Sequence, residues 1–176
     1  MVLVNRFLKA VGSEHGLSRL DKVILVLPIL GVFDVLSTLY VGFLGYPLER
    51  YEAGFLASFF AKHGLLYLYI PVYLGILVSI VWVLLRIKRK LSPSALLDKF
   101  VFLLLVGAVC FMYARLFVAI VMNVLLFSGR GVSSGIVEGV VYLFTIGYVV
   151  MLVWHDVVEW MRGEQTNSDE NHTYNL

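Results

Sequence analysis

A single cysteine, Cys110, stands in the 176 residues. That excludes an intrachain disulfide and any multi-cysteine metal site. Charge is equally scarce. Asp, Glu, Lys and Arg make up 15% of the chain, against about 25% in a soluble domain. The formal net charge is only +2, which gives no basis for nucleic-acid binding. No cleavable signal peptide is evident. The first long apolar run begins near Val23 and exceeds an h-region of about 7–15 residues, so it reads as a membrane span. A convincing Ser-His-Asp set is also missing, because the serines and histidines are separated by topology or depth.

What is abundant is hydrocarbon. The chain is 60% hydrophobic, with a mean hydropathy of +0.89. One water-soluble core of this size has no room for that excess, so the bilayer is the expected solvent. Apolar runs near 23–45, 65–86, 100–128 and 136–158 are each long enough to cross about 30 Å of hydrocarbon at ~1.5 Å per residue. Lipid cannot satisfy open strand edges, so these runs are predicted to be helices. The expected fold is all-α: a polytopic membrane protein, a four-helix bundle forming one domain over 1–162. A polar, disordered cytoplasmic tail over 163–176 completes the chain.

Cations set the expected orientation. Arg6, Lys9, Arg19 and Lys22 precede the first run, and Arg86, Lys88, Arg89, Lys90 and Lys99 separate the second from the third. The positive-inside rule then places both termini in the cytoplasm. Residues 2–11 alternate apolar and basic faces, as in a short helix lying on the inner surface. A frayed tail is the plainer alternative. The outer stretch ERYEAGFLASFFAKHG groups Phe55, Leu56, Phe59 and Phe60. Glu52 near its start and Lys62 near its end complement a helix dipole, and Gly64 is placed to end it. A second interfacial helix is predicted there.

The few polar residues inside the runs are the candidate site. Asp34 lies about 11 residues, roughly 16 Å, below the outer end of the first run, and Arg115 about 13 residues, roughly 20 Å, below that of the third. A lone charge at that depth costs about 2.5–3.5 kcal/mol. Opposite charges at one depth offset this, so an Asp34–Arg115 ion pair facing the bundle interior is predicted. A protonated, uncharged Asp34 is the other open state. Ser37 and Thr38 follow Asp34 by three and four residues and share its face. Asn123 lies further out on the third run, whose Gly107, Ala108 and Phe111 share a face with Arg115. Gly31, one turn before Asp34, permits close helix approach. Glu52 and Glu138 mark a possible outer vestibule. Gly131, Gly135 and Gly139 recur at intervals of four, a small-residue face for a partner helix or a homo-oligomer, or else loop flexibility. The second run holds no charge before Arg86. Its Tyr67, Tyr69 and Tyr73 suit an outer aromatic belt, which makes it the expected most lipid-facing helix. His155 and Glu159 have metal-ligand spacing, but two ligands do not make a site, and an exposed helix end is the stronger reading.

The Asp34 stretch resembles a family of small, uncharacterised prokaryotic membrane proteins, a domain of unknown function. That family carries D-x-x-[ST]-T in its first span and, beyond a glycine, E-A-N-P. The matching residues are Asp34, Ser37 and Thr38, then Gly45, then Glu52 and Ala53. Gly54 and Phe55 stand where the family has Asn and Pro. Tyr113 and Asn123 resemble a weaker feature of its later spans. The resemblance implies that Asp34 to Glu52 is one unit, and it implies no substrate and no cofactor.

Three functional classes follow. One is a site or conduit for an ion, proton or small solute built from Asp34, Ser37, Thr38, Arg115 and Asn123. Another is a structural or assembly subunit in which Asp34 and Arg115 only order the bundle. The least favoured is a metal-dependent enzyme at the outer leaflet, with Asp34, Glu52, Glu138 and Asn123 as hard oxygen ligands.

Overall fold

A computed structural model describes residues 17–44, 55–127 and 135–163. All its regular elements are helices: α1 Arg19–Phe43, α2 Phe55–Lys62, α3 Leu66–Lys90, α4 Leu96–Phe127 and α5 Gly135–Arg162. Four of them, α1, α3, α4 and α5, are long and apolar enough to cross a membrane. The predicted surface helix at 2–11 and the tail from 164 onward lie outside the described residues.

All four long helices begin or end about one turn beyond the apolar runs at their cation-rich ends. Hydropathy marks only the part able to sit in hydrocarbon, whereas the backbone ladder continues until a cap replaces it. α1 starts with a capping box: Asp21 N–H donates to Ser18 Oγ and Ser18 N–H to Asp21 Oδ2, both at 3.2 Å. The next free amide, Leu20 N–H, donates to Asp156 Oδ2 of α5 at 2.9 Å. One helix thus caps another. Lys88 Nζ reaches Asp21 Oδ1 at 2.7 Å, and Lys99 Nζ donates to the Met161 carbonyl at 2.8 Å at the end of α5. α2 ends in a Schellman turn. Gly64 has φ +69°, with Leu65 N–H on the Phe60 carbonyl and Gly64 N–H on that of Ala61. The expected stop at Gly64 is therefore observed.

α1 is the centre of the bundle. It packs against α3, α4 and α5, α4 also packs along α5, and α3 barely touches α4. The tightest core lies at the cation-bearing end: Leu20, Ile24 and Leu27 of α1 meet Val81 and Leu85 of α3, Phe102 and Val109 of α4, and Val153 of α5. A smaller cluster of Val35, Ala57 and Tyr69 seats α2 against the other end.

Two expectations about helix faces change. α5, not α3, buries the smallest share of its apolar length. On α4, Gly107, Ala108 and Phe111 point outward, and Val109, Leu116 and Asn123 point inward. α4 is apolar on every side, so its composition carries no contrast from which to choose a face. Packing against α1 makes the choice.

Candidate functional site

The polar centre rises from one close approach. At Gly31 a side chain would collide with the Leu77 Cδ2 methyl, and the Tyr73 ring lies 3.6 Å from the same point. The Leu77 side chain of α3 therefore fills the space that the missing side chain leaves on α1. Because the two helices run antiparallel, the next layer away from the cation-bearing end sets Asp34 opposite Tyr73. Tyr73 Oη donates to Asp34 Oδ2 at 2.8 Å. The Tyr73 ring also lies against Tyr69, with centroids 5.3 Å apart.

α4 closes the other side of the same layer. Asn123 Nδ2 donates to Ser37 Oγ at 2.8 Å and to Thr38 Oγ1 at 3.2 Å. Ser37 Oγ in turn donates to the Asp34 carbonyl at 2.8 Å. Asp34 is 7% exposed, Thr38 1% and Asn123 8%, so the group is internal rather than a solvated edge. Lower down, Tyr113 Oη donates to the Val23 carbonyl at 2.7 Å, a second polar tie between α1 and α4. Every buried side-chain nitrogen or oxygen among the described residues has a hydrogen-bond partner.

Four of the five predicted ligand residues, Asp34, Ser37, Thr38 and Asn123, thus share one network. Arg115 does not join it. Among the described residues the ion pairs are Lys88–Asp21 and His155–Glu159, so the predicted Asp34–Arg115 pair is replaced by the Tyr73 bond. Arg115 is half-buried. The reason for its separation is register. α1 and α4 run in the same direction, and Asn123 is level with Ser37 and Thr38. Arg115, eight residues before Asn123, therefore lies about 12 Å below that level and roughly 7 Å, a little over one turn, below Asp34, with its side chain leaning further down toward the start of its helix.

The aromatic-belt expectation is also corrected. Tyr67 is exposed, but Tyr69 is buried and Tyr73 is the partner of Asp34. The depth count that paired Asp34 with Arg115 fits Tyr73 as well, at about eight residues or ~12 Å below the outer end of its run. That signal was present. Asp156 is the other residue missed, since only tertiary packing brings it to Leu20.

Glu138 is exposed at the start of α5, and Glu52 and Gly131 lie outside the described residues. Among the described residues, nothing beyond the adjoining helix backbone comes within 4 Å of a Cβ built at Gly135 or Gly139. His155 Nδ1 lies 3.4 Å from Glu159 Oε2 on an exposed face, and no group of three His, Cys, Asp or Glu residues converges among the described residues. No family model matches the sequence, and no curated protein or solved structure matches it either.

Proposed function

We propose that the chain is an integral membrane protein whose Asp34 centre binds a proton or a small cation on its way across the bilayer. One observation carries the reading. The buried Asp34 carboxylate is held by a neutral hydroxyl, Tyr73 Oη at 2.8 Å, beside the Asn123–Ser37–Thr38 group. A carboxylate surrounded by neutral oxygen groups is the ligand chemistry of hard cations and of protons. Arg115, half-buried on α4 below Asp34, supplies a fixed positive charge that competes with the bound ion and favours its release.

The orientation belongs to the same proposal. Arg19, Lys22, Arg86, Lys88, Arg89, Lys90, Lys99 and Arg162 gather at one end of the long helices, which supports placing that end in the cytoplasm. The open Gly135 and Gly139 face of α5 is the site proposed for a homo-oligomer or partner helix.

Flux measurement in proteoliposomes is the test. Proton entry is followed with an enclosed pH dye, and sodium and potassium uptake with isotopes. Asp34→Asn removes the flux while the protein keeps its helical content and melting behaviour. Full flux of every species carried by the wild type overturns the reading. A structural role is the second reading, favoured by the complete hydrogen bonding of the buried polar groups. It requires that no ion moves through the wild type and that the Asp34 network acts on stability alone.

A further inference from the structure

A second feature lies on the other side of α1. Between α1, α4 and α5 runs a cleft of about 400 Å³, with Val26 and Leu30 on one wall, Tyr113 and Phe117 on another, and Thr145 and Tyr148 on the third. This volume falls in the range of about 300–1,000 Å³ that holds small ligands. Its walls present hydrocarbon. The two hydroxyls nearest the floor are already committed, Tyr113 Oη to the Val23 carbonyl and Thr145 Oγ1 to the Val141 carbonyl at 2.8 Å. Having given their protons, these two offer a polar occupant acceptor lone pairs alone, and the Tyr148 hydroxyl is the one other polar side-chain group of the lining. The cleft is also open at its side, because Val26 is 40% exposed, Phe117 45% and Tyr148 60%.

Charge at one end of the cleft narrows the occupant. Arg19, Lys22, Val26 and Leu30 form a single stripe along α1, by helical spacing. Lys22 lies one turn below Val26, roughly 6 Å along the axis, and Arg19 about 10 Å below it. Both cations are exposed, and the ion pairs among the described residues involve neither. An apolar slot with two exposed cations about one and two turns beyond its end, in no ion pair among the described residues, matches an amphiphile with one negative end. We propose that this cleft is a binding site for one acyl chain of an anionic phospholipid, with Arg19 and Lys22 holding the phosphate. The site rests on the long helices being membrane spans and is independent of any ion movement at Asp34.

A zwitterionic lipid fits the slot equally well but gains little from the cations. Each Lys or Arg near an anionic headgroup favours it by about fivefold. Photo-crosslinking in nanodiscs tests the assignment with the full chain and two probes, a diazirine-acyl phosphatidylglycerol and the matching phosphatidylcholine. The phosphatidylglycerol probe labels Val26, Phe117 and Tyr148, and unlabelled phosphatidylglycerol displaces it at least fivefold better than phosphatidylcholine. The pair Arg19→Gln and Lys22→Gln abolishes that preference but leaves chain labelling in place. Val26→Trp, which fills the slot, removes the labelling. Equal competition by the two lipids in the wild type overturns the proposal without any variant. So does labelling spread evenly onto the exposed α3 positions Val72 and Ile76.

Discussion

Replacing Tyr73 by Phe deletes one oxygen atom and isolates the contact on which the polar centre depends. The ring keeps its place against Tyr69, 5.3 Å away, and the 2.8 Å bond to Asp34 Oδ2 is lost. A hydrogen bond to a charged group in a water-soluble protein contributes about 1.5–3 kcal/mol. Inside membranes, interhelical bonds measured by double-mutant cycles average ~0.6 and reach ~1.7 kcal/mol, because the unfolded helices find other partners in the bilayer. Asp34 is 7% exposed, so the upper part of the membrane range applies. We expect a coupling of about 1.5 kcal/mol, close to a tenfold change in the unfolding constant. The assay is reversible unfolding in bicelles of the wild type, Tyr73→Phe, Asp34→Leu and the double variant. Tyr67→Phe serves as control, since that residue is 66% exposed. Removing both partners leaves no orphaned acceptor, so the double variant is more stable than the sum of the single losses predicts. A coupling below about 0.3 kcal/mol, or a Tyr73→Phe loss no larger than that of Tyr67→Phe, refutes the contact.

Further substitutions check the supports of the site. Gly31→Ala forces its new methyl onto the Leu77 side chain and costs about 1–3 kcal/mol; Leu77→Ala in the same chain relieves part of the loss in the same unfolding assay. Asp156→Ala strips Leu20 N–H of its partner and costs about 1–2 kcal/mol, with early hydrogen exchange at the start of α1 as the site-specific readout. Asn123→Ala unties α4 from Ser37 and Thr38 and costs about 0.6–1.7 kcal/mol, seen as lower thermal stability with unchanged helical content.

The four long helices were legible in the chain because lipid demands about 20 apolar residues per crossing and an internally satisfied backbone. Scarce charge made Asp34 conspicuous, and helical spacing alone put Ser37 and Thr38 on its face. Gly31 was legible for the same reason: a missing side chain marks where a neighbour approaches, and Leu77 occupies that place. Gly64 was legible as a helix stop, since its φ of +69° favours a residue without a Cβ.

Other features depended on which helix lies beside which. Depth along a span is a one-dimensional quantity, and at the level of Asp34 it admitted both Arg115 and Tyr73. Only the antiparallel packing of α1 on α3 sets the Tyr73 hydroxyl at the carboxylate, and the parallel register of α4 leaves Arg115 below it. The inward face of α4 is equally a tertiary fact, because an apolar helix offers no chemical contrast between its sides. Asp156 capping α1 across the bundle and the cleft beside Val26 exist only where separate helices meet. Residue type and spacing determined what each helix can carry, whereas packing decided which groups touch.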